Sequence, residues 1–192
     1  MLYDLDTMSH IYDVLTEKAP NVPVVYDPIW RSSSGQELFK INDESLEFLK
    51  TKFIPNSFII TPNIPETEKI CKINISNLDD MVIGAQMLKD MGANIVLLKG
   101  GHANGDIVHD VLLNDKLLKI YESEKINTKN THGSGCSLAS AIAANLSYKM
   151  PVEKSISKAR EYVHNAIKNS IKPGKGDGTL NHSFTKSEIK AG

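Results

Sequence analysis

The sequence contains little cysteine, almost no net charge and no long apolar run, and each of these absences argues against a class of protein. Its 192 residues include two cysteines and carry a formal net charge of −1. Two cysteines so far apart argue against a disulfide framework and favour a reducing compartment. The balanced charge gives no reason to expect nucleic acid or a membrane surface as a partner. No apolar run approaches the roughly 20 residues that a membrane-spanning helix needs.

Targeting motifs and the common nucleotide-binding motifs are also absent. Residues 1–6 form neither the basic nor the apolar part of a signal peptide, so we expect a soluble, cytoplasmic protein. Nothing matches the Walker A pattern, the spacing of a cysteine–histidine zinc site or the motif set of protein kinases. With 41% hydrophobic residues and neither a linker nor an internal repeat, the chain is predicted to form one domain over residues 1–192.

What the sequence does contain is an alternation of short apolar runs with amphipathic segments. The apolar runs predict strands at 22–26, 58–61 and 94–98. Apolar residues at helical spacing predict helices at 4–18, 43–53, 76–91 and 151–171. Two further runs, 106–113 and 117–122, are typical of an antiparallel pair with a turn between them. Strands that alternate with helices predict an α/β fold with a mostly parallel sheet flanked by helices.

Three of the predicted strands are followed by residues suited to binding charged groups. Asp27 follows the first strand, Asn63 and Glu66 follow the second, and Lys99 follows the third. Because ligands of open α/β sheets bind at the carboxyl ends of the strands, we expect these side chains at one edge of the sheet. Glu66 has an ordinary alternative explanation, since acidic residues are common in the first turn of any helix.

A fourth segment, residues 130–137, joins a glycine-rich turn to an apolar helix that we expect to be buried. Such a helix start presents unpaired N–H groups and the positive end of the helix dipole, which together bind anions such as phosphate. Gly133 and Gly135 would permit positive φ and a close approach of the backbone to the anion. Cys136 lies where the helix begins, a position that favours a thiolate. The alternative is an ordinary helix start with a structural cysteine.

Together these four segments predict a site for phosphoryl transfer. Carboxylates suit Mg²⁺, which takes oxygen ligands and retains several waters. A lysine neutralises phosphate charge, and a cradle of N–H groups stabilises the transferring group. Each feature alone is weak evidence, and the combination of all four indicates this chemistry.

The same segments resemble the motifs of a known family. Residues 130–137 and the helix after them are similar to the signature of the hydroxymethylpyrimidine/phosphomethylpyrimidine kinases, the ThiD family of the ribokinase superfamily. Three further segments resemble the family's other motifs: Val25-Tyr26-Asp27-Pro28 with Ser34-Gly35, Thr61-Pro62-Asn63-Ile64-Pro65-Glu66, and Lys99-Gly100-Gly101-His102. The resemblance extends to about residue 184 and implies a ribokinase-like fold.

The resemblance implies an ATP-dependent kinase of thiamine biosynthesis. Its small-molecule substrates would be 4-amino-5-hydroxymethyl-2-methylpyrimidine and the monophosphate of that pyrimidine. Cys136 would accept the substrate hydroxyl proton, and the N–H groups of Gly133, Ser134 and Gly135 would stabilise the transferring phosphoryl group. ATP would be bound by Lys99, Asn63, Gly101, His102 and Thr131, and Mg²⁺ by Asp27 and Glu66. Pyridoxal kinase activity, known in ThiD-like proteins, is an alternative.

The resemblance also indicates a shorter chain than is usual for the family. In the family, the segment that matches Met1-Leu2 follows two or three further strands and their helices, which carry most of the pyrimidine contacts. A sheet without those strands would have exposed edges, which favour association, so we expect a homo-oligomer, specifically a dimer. A second hypothesis is that the chain is a non-catalytic nucleotide-binding remnant of a truncated or split gene.

Overall fold

The α/β fold predicted from the sequence is confirmed by a computed structural model of the chain. The structure describes residues 4–30, 38–39, 42–101, 105–172, 174 and 178–184. Their contacts divide the chain into two compact units, one with the described residues up to 125 and one with those from 126 onwards. The single domain expected over residues 1–192 stays a prediction.

A sheet forms the centre of the first unit, and over the described residues it has five strands in chain order. They are β1 (Val25–Tyr26), β2 (Ile59–Ile60), β3 (Val96–Lys99), β4 (Ile107–Leu113) and β5 (Leu118–Glu124). β1, β2 and β3 run parallel, whereas β3, β4 and β5 pair antiparallel. The predicted antiparallel pair is therefore confirmed, and the three parallel strands bring their carboxyl ends to one edge.

The first two strands are shorter than the apolar runs that predict them. Pro23 lacks the N–H group that would extend β1 backwards along the chain. The carbonyl of Val24 still accepts hydrogen bonds from the N–H groups of Phe58 and Ile59, at 2.9 and 3.1 Å. Pro62 closely follows the end of β2. β1 thus ends just before Asp27, and β2 ends just before Thr61.

Helices precede or follow most of these strands. In the described part of the first unit they are α1 (Leu5–Lys18), α2 (Asp43–Phe48), α3 (Ile64–Cys71) and α4 (Leu78–Asp90). Each begins after an Asp or Asn whose side chain accepts a backbone N–H group of the first turn, which stabilises the helix start.

The helix predicted at 43–53 is interrupted after its first half. α2 ends at Phe48, and a π-helical turn, Leu49–Phe53, follows it. The N–H group of Ile54 donates to the carbonyl of Leu49 at 2.9 Å, so this turn contains one residue more than an α-helical turn. That extra residue lets Leu49, Phe53 and Ile54 all be buried.

The apolar core of the first unit includes one face of the sheet and the helix α4. Val96 pairs with Leu113 and Leu98 with Val111, and all four side chains belong to the core cluster. Leu88, on α4, is fully buried in the same cluster. This packing fixes the end of β3, and with it the position of the residues that follow.

The second unit is built on two helices, α5 (Ser134–Ser147) and α6 (Val152–Lys168), which pack against each other. The side-chain amide of Asn145 on α5 donates to the carbonyl of Ser155 on α6 at 3.0 Å. The expectation of a buried helix after the glycine-rich turn is correct for only one face of α5, because Ser140 and Ala143 are exposed. Across the described ranges, no helix has the length and apolar character needed to cross a bilayer.

We predict that Leu88→Ala lowers the free energy of unfolding by roughly 2–5 kcal/mol, because it leaves a cavity beside the sheet. Ile83 lies on the same helix but is 55% exposed, so Ile83→Ala is the matched control and should change stability by less than about 1 kcal/mol. Urea unfolding followed by circular dichroism measures both. Equal losses in the two variants would contradict this account of the core.

Candidate functional site

The residues predicted at the ends of the parallel strands lie together in the first unit. Asp27 follows β1, Thr61 follows β2, and Lys99 ends β3. The Lys99 ammonium contacts Asp27 Oδ1 at 2.7 Å, and the Thr61 hydroxyl donates to the same oxygen at 3.0 Å. The backbone N–H group of Lys99 donates to the carbonyl of Pro62 at 2.8 Å, which joins the second and third of these strand ends.

The two carboxylate oxygens of Asp27 differ in their surroundings. Oδ2 is buried and forms no hydrogen bond with any described residue. The ion pair itself is shielded from water, since the side chains of Asp27 and Lys99 are 8% and 14% exposed. A buried oxygen of this kind is unfavourable unless something binds it, so Asp27 is suited to hold a cation or a polar ligand group.

Asn63 and Glu66 form a reciprocal cap at the start of α3. Asn63 Oδ1 accepts the N–H group of Glu66 at 2.9 Å, and Glu66 Oε2 accepts the N–H group of Asn63 at 2.7 Å. The ordinary explanation of Glu66 as a first-turn acid is therefore correct as far as it goes. It leaves Glu66 Oε1 and the Asn63 amide nitrogen for other partners.

The electrostatics of Glu66 go beyond those of a surface cap. The residue is 3% exposed, and burial raises its pKa to about 7 against the opposing charge of Lys99, while the charge of Asp27 adds to the rise. The carboxyl groups of Asp27 and Glu66 thus interact through one buried region that also contains Lys99. Two acids and one ammonium in such a region are typical of a site that binds charged ligands.

The two residues directly after β3 differ in how they are held. The Gly100 N–H group donates to Asp110 Oδ1 on β4 at 2.9 Å, and a Cβ atom at Gly100 would overlap the carbonyl of His109. Gly101 is exposed, and a Cβ atom there would meet no described atom within 4 Å. His102, predicted to contact the nucleotide, lies outside the described residues.

In the second unit, the glycine-rich turn leads into α5 as predicted. Gly133 is the N-cap residue with a φ of 84°, and it has no side chain to accept the N–H groups of the first turn. Only part of the expectation for the glycines is correct. Gly135 is already inside α5 and does not have a positive φ, because the single left-handed residue suffices to start the helix. The N–H group of Ser134, a predicted phosphoryl contact, donates to the carbonyl of Thr131 at 3.1 Å.

Cys136 is exposed in the first turn of α5, and the N-cap residue of this helix, Gly133, provides no side-chain acceptor. Asn130 anchors the beginning of the turn. Its Oδ1 atom accepts the N–H group of Gly178 at 2.8 Å, and its amide nitrogen donates to the Ser170 hydroxyl at 3.2 Å. The turn is therefore held from one side while Cys136 remains accessible.

Comparison with known proteins decides the family. The family model described as phosphomethylpyrimidine kinase matches residues 1–181. The hydroxymethylpyrimidine/phosphomethylpyrimidine kinase of Aquifex aeolicus is 40% identical over 176 residues, which make up 92% of this chain and 68% of that protein. The chain belongs to the phosphomethylpyrimidine kinase family.

Two further comparisons place the chain among related kinases. The thiamine biosynthesis bifunctional protein ThiED of Geobacter sulfurreducens is 37% identical over 99% of this chain and 38% of its own length. The ADP complex of Bacillus subtilis pyridoxal kinase has a TM-score of 0.86 and 28% identity over 97% of this chain and 69% of its own. The predicted family, the ribokinase-like fold and the assignment as a phosphotransferase are confirmed. The chain spans about two thirds of the Aquifex and Bacillus proteins.

Three residues of this family member were not identified from the sequence. Thr61 and Asn130 lie inside the motifs given above. Thr61 is a polar residue at the end of a strand, and Asn130 is a polar residue before a glycine-rich turn. Either pattern can indicate a side chain that orients the site by a hydrogen bond. Asp110 gave a different signal, a carboxylate within the largely apolar run 107–113. The structure shows that Thr61 donates to Asp27 and that Asp110 accepts the Gly100 N–H group. Asn130 accepts the N–H group of Gly178 and so anchors the glycine-rich turn.

We predict that Glu66→Gln removes a pH-dependent term from stability. Folding raises the pKa of Glu66 from 4.5 to about 7, so between these values the folded chain holds a proton that the unfolded chain has released. The contribution of Glu66 to the free energy of unfolding is therefore greatest below pH 4.5 and declines as the pH rises to about 7. The slope is at most about 1.4 kcal/mol per pH unit.

Glutamine preserves the reciprocal cap but does not titrate. Urea unfolding in the presence of a chelator measures the free energy of unfolding of both proteins. The value for the wild type relative to Glu66→Gln should fall between about pH 5 and 7 and stay constant at higher pH. If the difference in free energy of unfolding between the two proteins is the same at every pH, the pKa of Glu66 is not raised by folding.

Proposed function

We propose that the chain transfers the γ-phosphoryl group of ATP to the hydroxymethyl group of 4-amino-5-hydroxymethyl-2-methylpyrimidine, and then a second phosphoryl group to the resulting phosphate. The names of the Aquifex and Geobacter relatives support this acceptor and a role in thiamine biosynthesis. The observation that carries the reaction class is the Asp27 carboxylate. One of its oxygens binds Lys99, and the other is buried without a partner among the described residues.

Asp27 and Glu66 fit a divalent cation bound directly or through water. Oδ2 of Asp27 would gain the partner that it lacks, and Glu66 Oε1 is not used by the helix cap. No group of three or more His, Cys, Asp or Glu side chains suited to a metal occurs in the described part of the chain. Mg²⁺ meets this description because it needs few protein oxygens, and its charge would offset that of the phosphates.

Lys99 and the turn after it would bind the nucleotide. The ammonium group supplies positive charge for the phosphates, and Gly101 permits a close approach to the backbone. The amide nitrogen of Asn63 would donate to a phosphate or ribose oxygen while its Oδ1 atom continues to cap α3. Thr131 and His102 complete the proposed contacts with ATP.

Cys136 would accept the proton from the acceptor hydroxyl group. As that oxygen bonds to the γ-phosphorus, its proton passes to Sγ of the Cys136 thiolate, the bond from the γ-phosphorus to the bridging oxygen breaks, and ADP leaves. The N–H groups of Gly133, Ser134 and Gly135 would stabilise negative charge on the phosphoryl oxygens, aided by the dipole of α5. Ser134 would need to share its N–H group between Thr131 and the phosphoryl oxygen.

Pyridoxal is the second candidate acceptor, since the Bacillus neighbour is named a pyridoxal kinase. The test is ADP release coupled to a reporter enzyme, with Mg·ATP and either the hydroxymethylpyrimidine or pyridoxal. Turnover with the pyrimidine in clear preference supports the proposal. Preference for pyridoxal would replace the substrate, and ADP binding without turnover of either would support a non-catalytic remnant.

We predict that Cys136→Ala lowers kcat by about 10²–10⁴-fold, the usual contribution of a proton acceptor, and leaves ATP affinity unchanged. Ser140→Ala, an exposed change on the same helix, is the control and should retain full activity. The coupled assay gives kcat, and calorimetry with a non-hydrolysable ATP analogue gives affinity. Transfer at the wild-type rate in Cys136→Ala would exclude Cys136 as the base.

We also propose that the protein is a cytoplasmic homodimer. Cys71 and Cys136 are free thiols, which suits a reducing compartment. β1 is the end strand of the sheet, and no described strand covers its outer edge. Val22, which precedes β1 in the sequence, is 58% exposed. Light scattering after size-exclusion chromatography tests the dimer, and a monomer at micromolar concentration would contradict it.

A further inference from the structure

The turn after β3 is held by a buried carboxylate that has no place in the reaction just proposed. Asp110 lies on β4, where it pairs in register with Lys99, and it is 8% exposed. Its Oδ1 atom accepts the N–H group of Gly100 at 2.9 Å in a buried setting. This contact joins β4 to the first residue beyond the lysine that we assign to the phosphates.

A carboxylate is an unusual choice for this position. The three residues after Asp110 on β4, Val111 to Leu113, are apolar and buried, and burial of a charged group is unfavourable unless that group forms strong hydrogen bonds. A charged acceptor makes a shorter and stronger bond to a backbone N–H group than a neutral one does. The chain thus has a charged group where strand packing alone would favour an apolar residue.

His109, the residue before Asp110, determines which residue type fits at position 100. The carbonyl of His109 lies so close to Gly100 that any side chain there would overlap it. Asp110 therefore holds Gly100 by a hydrogen bond, and the close approach of the His109 carbonyl allows only glycine at this position. At Gly101, the next residue, a Cβ atom would meet none of the described atoms within 4 Å. The backbone is therefore held at Gly100, next to an exposed glycine that a ligand could approach.

We propose that Asp110 is a positioning residue for the nucleotide. By holding the Gly100 N–H group it fixes the backbone between the Lys99 ammonium and the Gly101 peptide, so that both are oriented before the phosphates bind. This inference rests on the proposed function in one respect, that the turn contacts ATP. Asp110 itself does not touch the reacting atoms.

The test measures the affinity for Mg·ADP by calorimetry, together with KM for ATP and kcat, in the full chain and three variants. Asp110→Ala removes the acceptor and should weaken ADP binding and raise KM for ATP by at least tenfold. Asp110→Asn keeps an oxygen that can accept the Gly100 N–H group but makes a weaker, uncharged bond, so its ADP affinity and KM should lie between those of the wild type and of Asp110→Ala. In both variants kcat should change by less than KM does.

Val111→Ala is the matched control, because Val111 is the next residue of β4, is buried, and pairs with Leu98 on the opposite face of the sheet. It should lower the melting temperature without changing ADP affinity. The inference is overturned if folded Asp110→Ala binds ADP as the wild type does, if Val111→Ala weakens binding equally, if Asp110→Asn is as impaired as Asp110→Ala, or if the wild type does not bind ADP. Wild-type protein that binds ADP without transferring phosphate would refute the kinase proposal alone.

Discussion

The polar residues at the ends of β1, β2 and β3 depend on one constraint, the buried ion pair between Asp27 and Lys99. Both charges are largely removed from water, which is unfavourable unless geometry and hydrogen bonds compensate. Here the 2.7 Å contact and the hydroxyl of Thr61 compensate one oxygen of the carboxylate, while the other has no hydrogen-bond partner among the described residues. Stability alone would not select that arrangement. A ligand group that binds the second oxygen, as proposed above, would account for it.

The sheet makes this pair possible because parallel strands deliver their carboxyl ends to one edge. β1 and β2 have only two paired residues each, so the polar residues begin almost as soon as the strands do. The antiparallel strand β4 adds a different element, since it runs back past the end of β3 and brings Asp110 beside the turn. The parallel strands position the charges of Asp27 and Lys99, and the antiparallel strand β4 holds Gly100, the residue that follows Lys99.

The residues at the strand ends could largely be predicted from the sequence. A polar residue that follows an apolar run lies near the end of the strand even when the predicted length of the strand is wrong by a few residues. The sequence predicts Asp27, Glu66 and Lys99 at one edge even though two of the strands are shorter than their apolar runs. What could not be predicted depends on pairing register or on local winding. The hydrogen bond from Gly100 to Asp110 requires the exact register of β3 with β4, and the π-helical turn requires knowledge of the core. Gly135 was assigned a positive φ because spacing cannot show which glycine starts the helix.

Glu66 combines a helix cap with a buried acidic group close to two other charges. One of its oxygens caps α3, a role that any first-turn acid would serve. Its burial beside Asp27 and Lys99 raises its pKa to about 7, so one ammonium does not fully stabilise two carboxylates. A divalent cation would act in the same direction as Lys99 and favour the ionised form of both acids. Protons and cations would therefore compete for this pair, and the cap would keep Glu66 in position in either state.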